Sequence, residues 1–236
     1  MHRSFRSCAI GTSLLFCALS MRAQPLVDIG LFPSSTPNTL EVRVRPDASF
    51  NLVVSEVTFT IRWENSSGAS LNTAALAQFC QGGFSIAPSG DGQVVNGSFR
   101  YYTFSGFGFA QIASACPGQA WAANTERVIM TIPVTGATGC ANFTIGNDAY
   151  TTANNKNFYM SLNGLERTDA IYSTVPVKVA PGDFNNSGQV NVSDFGILVN
   201  AFGTSCTGCA TDMNSSGQVN VTDFGLFVNV FGNVCL

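Results

Sequence analysis

One stretch of this chain occurs twice. Residues 183–206 read DFNNSGQVNVSDFGILVNAFGTSC and residues 212–235 read DMNSSGQVNVTDFGLFVNVFGNVC, an offset of 29 residues with 16 of 24 positions identical. Such identity between adjacent segments marks a duplicated unit, and a duplication requires a fold in which two copies of one element sit side by side. Charge sets the region apart as well. No Lys or Arg lies between Pro181 and Leu236, and the only acidic residues there are Asp183, Asp194, Asp212 and Asp223, at matching places in the two copies.

Calcium chemistry explains those places. A calcium loop needs oxygen donors at positions 1, 3, 5, 7, 9 and 12 and a glycine at 6 for the sharp turn. The first copy supplies Asp183, Asn185, Ser187, the Gln189 carbonyl, Asn191 (through a water) and Asp194, with Gly188 at the turn. The second supplies Asp212, Asn214, Ser216, the Gln218 carbonyl, Asn220 and Asp223, with Gly217. Two complete donor sets predict two Ca²⁺ ions per chain. Asx-rich surface turns draw on the same residue types, but they have no reason to confine acidic charge to positions 1 and 12.

A helical pattern follows each loop. Phe195, Leu198, Val199 and Phe202 recur at helical spacing, as do Phe224, Phe227, Val228 and Phe231, and Gly203 and Gly232 fall where C-terminal caps belong. Gly196 and Gly225 each cost about 1 kcal/mol inside a helix relative to Ala. Helices this short do not persist alone. The two apolar faces are therefore expected to pack on each other, with calcium holding the N-termini.

A calcium loop and one helix, twice, with a short connector, resembles a type I dockerin, the module that docks secreted polysaccharide-degrading proteins onto cohesins. Asp at position 12 also fits that family. The resemblance implies a small α-helical domain over 181–236, two bound calcium ions and a cohesin-like or other β-sandwich partner, in a second chain or within this one. The sequence departs from the family at loop positions 10 and 11. They hold Val192-Ser193 and Val221-Thr222 where cohesin-recognising dockerins tend to carry Ser-Thr, and the helices lack the family's basic residues. The duplicated faces are expected to meet a partner through Val192, Ser193, Ile197 and Asn200 in one copy and Val221, Thr222, Leu226 and Asn229 in the other.

At the other end, His2, Arg3 and Arg6 precede a short apolar stretch, Cys8 to Met21, and Ala23 precedes Gln24 at a plausible cleavage point. Residues 1–23 therefore read as a secretory signal peptide, too short to span a bilayer, and no transmembrane segment is expected elsewhere. Cleavage would remove the only histidine, excluding Ser-His-Asp and Cys-His catalysis and His-ligated zinc. It would also remove Arg3, Arg6 and Arg22, leaving 8 Lys or Arg against 14 Asp or Glu. That surplus of acid offers no footing for nucleic acid.

Six cysteines remain: Cys80, Cys116, Cys140, Cys206, Cys209 and Cys235. An even number in a secreted chain favours disulfides. They fall three and three about residue 180, which implies one bridge between domains or a free thiol in each. Cys206-Thr-Gly-Cys209 is read as a structural disulfide, since a redox motif would need a thioredoxin-like setting and zinc would need further ligands.

Residues 24–180 read as strands. Leu40, Val42 and Val44 alternate with Glu41, Arg43 and Arg45. Val57, Phe59, Ile61 and Trp63 alternate with Thr58, Thr60 and Arg62. Val128, Met130, Ile132 and Val134 repeat the pattern, and shorter candidates lie at 99–109, 142–145, 158–162 and 171–179. Eight to ten such strands, with Gly- and Asn-rich turns and no long helix, predict an all-β antiparallel sandwich with one wet face per sheet. The strand at 126–134, the Gly-rich turn before Cys140 and the closing strand at 175–179 resemble a cohesin-type adhesive sandwich. The expected role is non-catalytic, calcium-dependent attachment in extracellular polysaccharide degradation or surface adhesion.

Two alternatives carry chemistry. A glycoside hydrolase would need two carboxylates at a set separation, and no local motif selects a pair from Asp28, Glu41, Asp47, Glu56, Glu64, Asp91, Glu126, Asp148, Glu166 and Asp169. A carbohydrate-binding platform would use the cluster Phe99, Tyr101, Tyr102, Phe104, Phe107 and Phe109. Most of those rings are expected in the core, with Tyr101 and Tyr102 facing opposite sides of a strand so that one is open to solvent.

Overall fold

The structure, a computed structural model, describes residues 24–235 apart from 91, 119, 120, 207 and 215. The signal peptide read over 1–23, and Asp91, lie outside the described residues. In chain order the elements are β1 (Val27–Pro33), β2 (Thr39–Pro46), β3 (Val54–Glu64), β4 (Ser70–Leu71), β5 (Ala77–Gln78), β6 (Ser85–Pro88), β7 (Val94–Asn96) and β8 (Phe99–Phe107). Then come α1 (Ile112–Ala115), β9 (Arg127–Thr135), β10 (Ala141–Ile145), α2 (Ala149–Ala153), β11 (Tyr159–Leu162), β12 (Leu165–Glu166), β13 (Thr168–Ile171), β14 (Val177–Val179), α3 (Val192–Ala201) and α4 (Val221–Val230).

The strands form two sheets. One runs β13-β1-β2-β9-β4, with β5 also on β9. The other runs β12-β11-β3-β10-β14, and β8 joins it on β3, carrying β6 and β7. Alternation places the apolar side chains between them. Leu40, Val42 and Val44 from β2 and Val57, Phe59, Ile61 and Trp63 from β3 are fully buried in one shared core. Phe59 stacks on Phe104 at 5.5 Å between centroids, Trp63 lies 5.3 Å from Phe143, and the Trp63 indole N–H donates to the Ala69 carbonyl at 2.9 Å. The sandwich followed by a helical module is the architecture the patterning predicts.

Three details differ from expectation. The stretch 171–179 does not form one strand. Its first residue closes β13, which pairs in parallel with β1, and β14 pairs with β10 in the other sheet, so the chain crosses between layers and the sandwich is not wholly antiparallel. The outer face of β3 is not wet. Thr60 is 1% exposed, because its hydroxyl is paired with Thr103 at 3.0 Å and donates to the Lys156 carbonyl at 2.7 Å under a flap of chain. The same flap decides the tyrosines. Tyr101 and Tyr102 do face opposite sides, yet both are buried. Helix α2 covers Tyr101, setting Tyr150 4.3 Å from its ring and the Asp148 carboxylate 2.9 Å from its hydroxyl. Of the aromatic cluster only Phe107 and Phe109 are well exposed.

Beyond β14 the chain enters the duplicated region with no linker. Ala180, Phe184, Val190, Leu198, Val219, Phe227 and Cys235 form a second, smaller core, against which Cys140 of the sandwich also packs. Leu198 and Phe227 occupy the same position in the two copies, and each is 1% exposed. The helices do meet as expected, with Phe195 6.1 Å from both Phe224 and Phe227 between ring centroids, but the burial between them is incomplete. Phe195, Val199, Phe202, Phe224, Val228 and Phe231 remain between 36% and 53% exposed. Each ten-residue helix sinks one apolar side chain fully into so small a core, with Ala201 and Val230 partly buried against it, and much of the remaining apolar surface is left outside.

A candidate calcium-loop pair and docking face

Each loop curls because its glycine and carboxylates force it to. Gly188 and Gly217 take φ of 81° and 87°, the left-handed region that a side chain disfavours. The Asp183 carboxylate accepts from the backbone N–H of Ser187 at 2.9 Å and of Gly188 at 2.7 Å. Asp212 does the same with Ser216 at 3.0 Å and Gly217 at 2.7 Å. Asn185 Oδ1 reaches the same Ser187 N–H at 3.0 Å, and Asn214 Oδ1 the Ser216 N–H at 3.0 Å. The Ser187 hydroxyl donates to the Gln189 carbonyl at 3.0 Å, and Ser216 to Gln218 at 3.1 Å. Donors from positions 1, 3, 5 and 7 thus converge within each loop.

Positions 9 and 12 close the loop and open the helix. Asn191 is the N-cap of α3. Its Oδ1 accepts from Ser193 N–H at 2.8 Å, while Asp194 Oδ2 accepts from the Asn191 N–H at 3.0 Å. Asn220 and Asp223 repeat this reciprocal box at the start of α4. Asp194 Oδ1 also accepts from Phe184 and Asn185 N–H, at 2.8 and 3.2 Å, tying position 12 back to the start of the loop. Asp194 Oδ2, Asp212 Oδ2 and Asp223 Oδ2 each accept one of these bonds, leaving a second lone pair for a cation.

The electrostatics ask for one. Asp183, Asp194, Asp212 and Asp223 are all 5% exposed or less, and among the described residues none of them has an ion pair. A buried, unpaired carboxylate is costly. Burial pushes the Asp183 carboxyl up from its ordinary value. The Gly188 and Ser187 N–H groups act against that rise, and the charge of Asp194 adds to it. Two carboxylates with amide, hydroxyl and carbonyl oxygens form a hard donor set suited to calcium. No group of three or more His, Cys, Asp or Glu side chains gathers among the described residues, so each loop's set of two carboxylates is completed by neutral oxygens.

The loops also interlock. Gln189 bridges to Val234 beyond α4, and Gln218 bridges to Ser205 beyond α3, so the segment leaving each helix pairs with the loop of the other copy. The eight residues expected to meet a partner are all exposed, including Val192 at 72% and Val221 at 71%. They make two matching uncharged surfaces, one on each helix, and the exposed phenylalanines lie on a different side of the same helices. The six cysteines form Cys80–Cys116, Cys140–Cys235 and Cys206–Cys209, so of the two readings the bridge between domains holds and no thiol is left over.

The sandwich offers less chemistry. Asp28 pairs with Arg45, Glu41 and Glu126 with Arg43, and Asp148 with Arg62, while Glu64 accepts from the Asn142 backbone N–H at 2.8 Å. Half of the acids a hydrolase would draw on are thus engaged in holding the sheets. No helix among the described residues is long and apolar enough to cross a membrane.

The fold and site define a β-sandwich bearing a duplicated loop-and-helix module. Residues 181–230 match the type I dockerin domain family, and the chain carries a type I dockerin there. Type I dockerins typically bind calcium, are non-catalytic, and imply a cohesin partner in an assembly of the cellulosome kind. A dockerin together with disulfides points to an extracellular setting. No curated protein matches the chain. Among solved structures, a chain from a type I cohesin–dockerin complex of Clostridium thermocellum aligns at 10% identity and TM-score 0.39, covering 67% of this chain and 96% of that one. The seventh ScaB type I cohesin of Pseudobacteroides cellulosolvens aligns at 10% and 0.35, covering 66% and 91%. The second type II cohesin module of the adaptor ScaA scaffoldin of Acetivibrio cellulolyticus aligns at 8% and 0.32, covering 64% and 88%. Likeness at that level transfers nothing about binding.

Proposed function

We propose that this protein is a secreted, non-catalytic attachment protein whose dockerin binds two calcium ions and, once ordered by them, docks a β-sandwich partner of the cohesin type. The ligands are Asp183, Asn185, Ser187, Gln189, Asn191 and Asp194 for one ion and Asp212, Asn214, Ser216, Gln218, Asn220 and Asp223 for the other. Four buried carboxylates in a region without a single Lys or Arg carry the reading. The same carboxylates at position 12 cap α3 and α4, so calcium that fills the loops also fixes the helices that present the docking faces. Secretion follows from the signal peptide read over 1–23, with the dockerin occupying 181–236.

The docking faces bear apolar, hydroxyl and amide groups and no charge. Association with a cohesin should therefore depend strongly on calcium and weakly on salt. Surface plasmon resonance of residues 24–236 over immobilised type I cohesins tests this. Binding that is abolished by EGTA and changes less than about twofold between low and physiological salt is the expected result. Binding that survives EGTA overturns it. A panel of polysaccharides assayed for hydrolysis and for retention tests the hydrolase and glycan-binding alternatives, and the proposal expects neither.

A further inference from the structure

We propose that the first calcium loop is a joint possession of dockerin and sandwich, and that the Cys140–Cys235 disulfide makes it the tighter of the two sites. The inference rests on the reading of both loops as calcium sites and adds that they are unequal. Nothing in their own residues makes them so, for the ligands at all six positions are identical between the copies. The difference lies in what stands behind them.

Cys206 and Cys235 hold the same position in the two copies, and each is the last residue of the segment that clamps the opposite loop. The Cys235 N–H donates to the Gly188 carbonyl at 2.9 Å, and the Cys206 N–H to the Gly217 carbonyl at 3.0 Å. From there the copies part. Cys206 closes on Cys209, three residues along, and its clamp stays within the module. Cys235 bonds instead to Cys140, 95 residues earlier, on the sandwich beside β10. Its carbonyl accepts from Lys178 Nζ at 2.9 Å, out of β14, and Asn186 of the first loop donates from its side chain to the Ser34 carbonyl at 3.1 Å. The first loop is thus backed by the ends of β1, β10 and β14. Among the described residues, none of 212–223 makes a hydrogen bond or disulfide to residues 24–179.

A loop already held in its liganding shape loses less conformational freedom when the ion arrives, so identical donors bind more tightly where the frame is fixed. The sandwich supplies that frame to one loop only. Both docking faces stay equally open, with Val192 and Val221 at 72% and 71% and Val199 and Val228 both at 53% exposure, so the tether sorts the calcium sites without covering the partner surface.

Calorimetric calcium titration of residues 24–236 tests this in chains left with one working loop. Asp212→Ala keeps the first loop and Asp183→Ala the second. The first should bind on the order of tenfold more tightly than the second. Adding Cys140→Ser with Cys235→Ser should erase that advantage while moving the second loop less than about twofold. Equal affinities in the two single-loop chains, or an equal shift on losing the disulfide, would overturn the proposal. Hydrogen exchange of the unsubstituted, EGTA-treated chain tests the frame without relying on any variant. The Ser187 and Gly188 amides should exchange more slowly than those of Ser216 and Gly217, and equal rates would also overturn it. Slow exchange at the first loop with no calcium uptake at either would overturn the calcium reading and its affinity consequence, while showing the tether itself to be real.

Discussion

Stripping calcium with EGTA is expected to lower the melting temperature of the dockerin by about 20 °C while the sandwich transition stays in place. Each ion present at a hundred times its dissociation constant contributes about 2.7 kcal/mol to the folded state, and a module this small converts each kcal/mol into several degrees. The buried carboxylates sharpen the effect, because without the ions they stand unpaired in a core that holds no cation. The pH dependence should then change sign with calcium. In the chelated chain the Asp183 carboxyl, raised by burial, holds its proton more firmly folded than unfolded. Its stabilising contribution is present below the ordinary carboxylate value of 3.8 and is lost as pH rises through the raised one. Acidifying the chelated protein from neutral toward about pH 4 should stabilise the dockerin. Acidifying the calcium-loaded protein should destabilise it, since protons compete for the ligands. Differential scanning calorimetry in EGTA and in calcium, at two pH values, reads both effects.

The second large effect is expected at Phe227. This ring is 1% exposed and sits among Phe184, Phe195 and Phe231 at 5.8, 6.1 and 5.7 Å between centroids. It is the largest fully buried side chain of the small core. Phe227→Ala removes a ring that little else can replace and should cost about 3–5 kcal/mol. Its counterpart in the other copy, Leu198→Ala, should cost about 2–5 kcal/mol. Phe224→Ala, at a ring 40% exposed that lies 6.1 Å from Phe195, should cost clearly less stability than Phe227→Ala and weaken docking as well. Chemical denaturation with calcium present, followed by far-ultraviolet circular dichroism, separates the buried site from the exposed one. Equal losses at Phe227 and Phe224 would mean that the outer face is closed in solution.

The duplicated module was legible because calcium chemistry fixes residue types at fixed spacings, and because the copy repeats them. The C-terminal caps were legible too, and Gly203 and Gly232 take φ of 83° and 86°. The reciprocal boxes of Asn191 with Asp194 and Asn220 with Asp223 went unread, because the same residues fill calcium positions. The strands with strict alternation, β2 and β3 above all, were equally plain. What escaped the sequence depends on contacts far apart in the chain. Tyr101 and Thr60 are buried by α2 and the flap that follows it, and a five-residue helix leaves little periodic signal. The crossover at 171–179 was hidden because both of its strands are short, four residues in β13 and three in β14, too few to show where one ends and the other begins. Counting cysteines narrowed the pairing to two alternatives, but choosing Cys140 for Cys235 required the path of β10 beside β14. The exposure of Phe195, Val199 and Phe202 and their counterparts went unread because helical spacing says which residues share a side, not whether that side is covered.

Native mass spectrometry of residues 24–236 in calcium, with Asp183→Ala, Asp212→Ala and the double variant beside it, tests the account most directly. A mass corresponding to two bound calcium ions is expected for the unsubstituted chain, one ion for each single variant and none for the double. A chain that carries no more calcium than its double variant would contradict it.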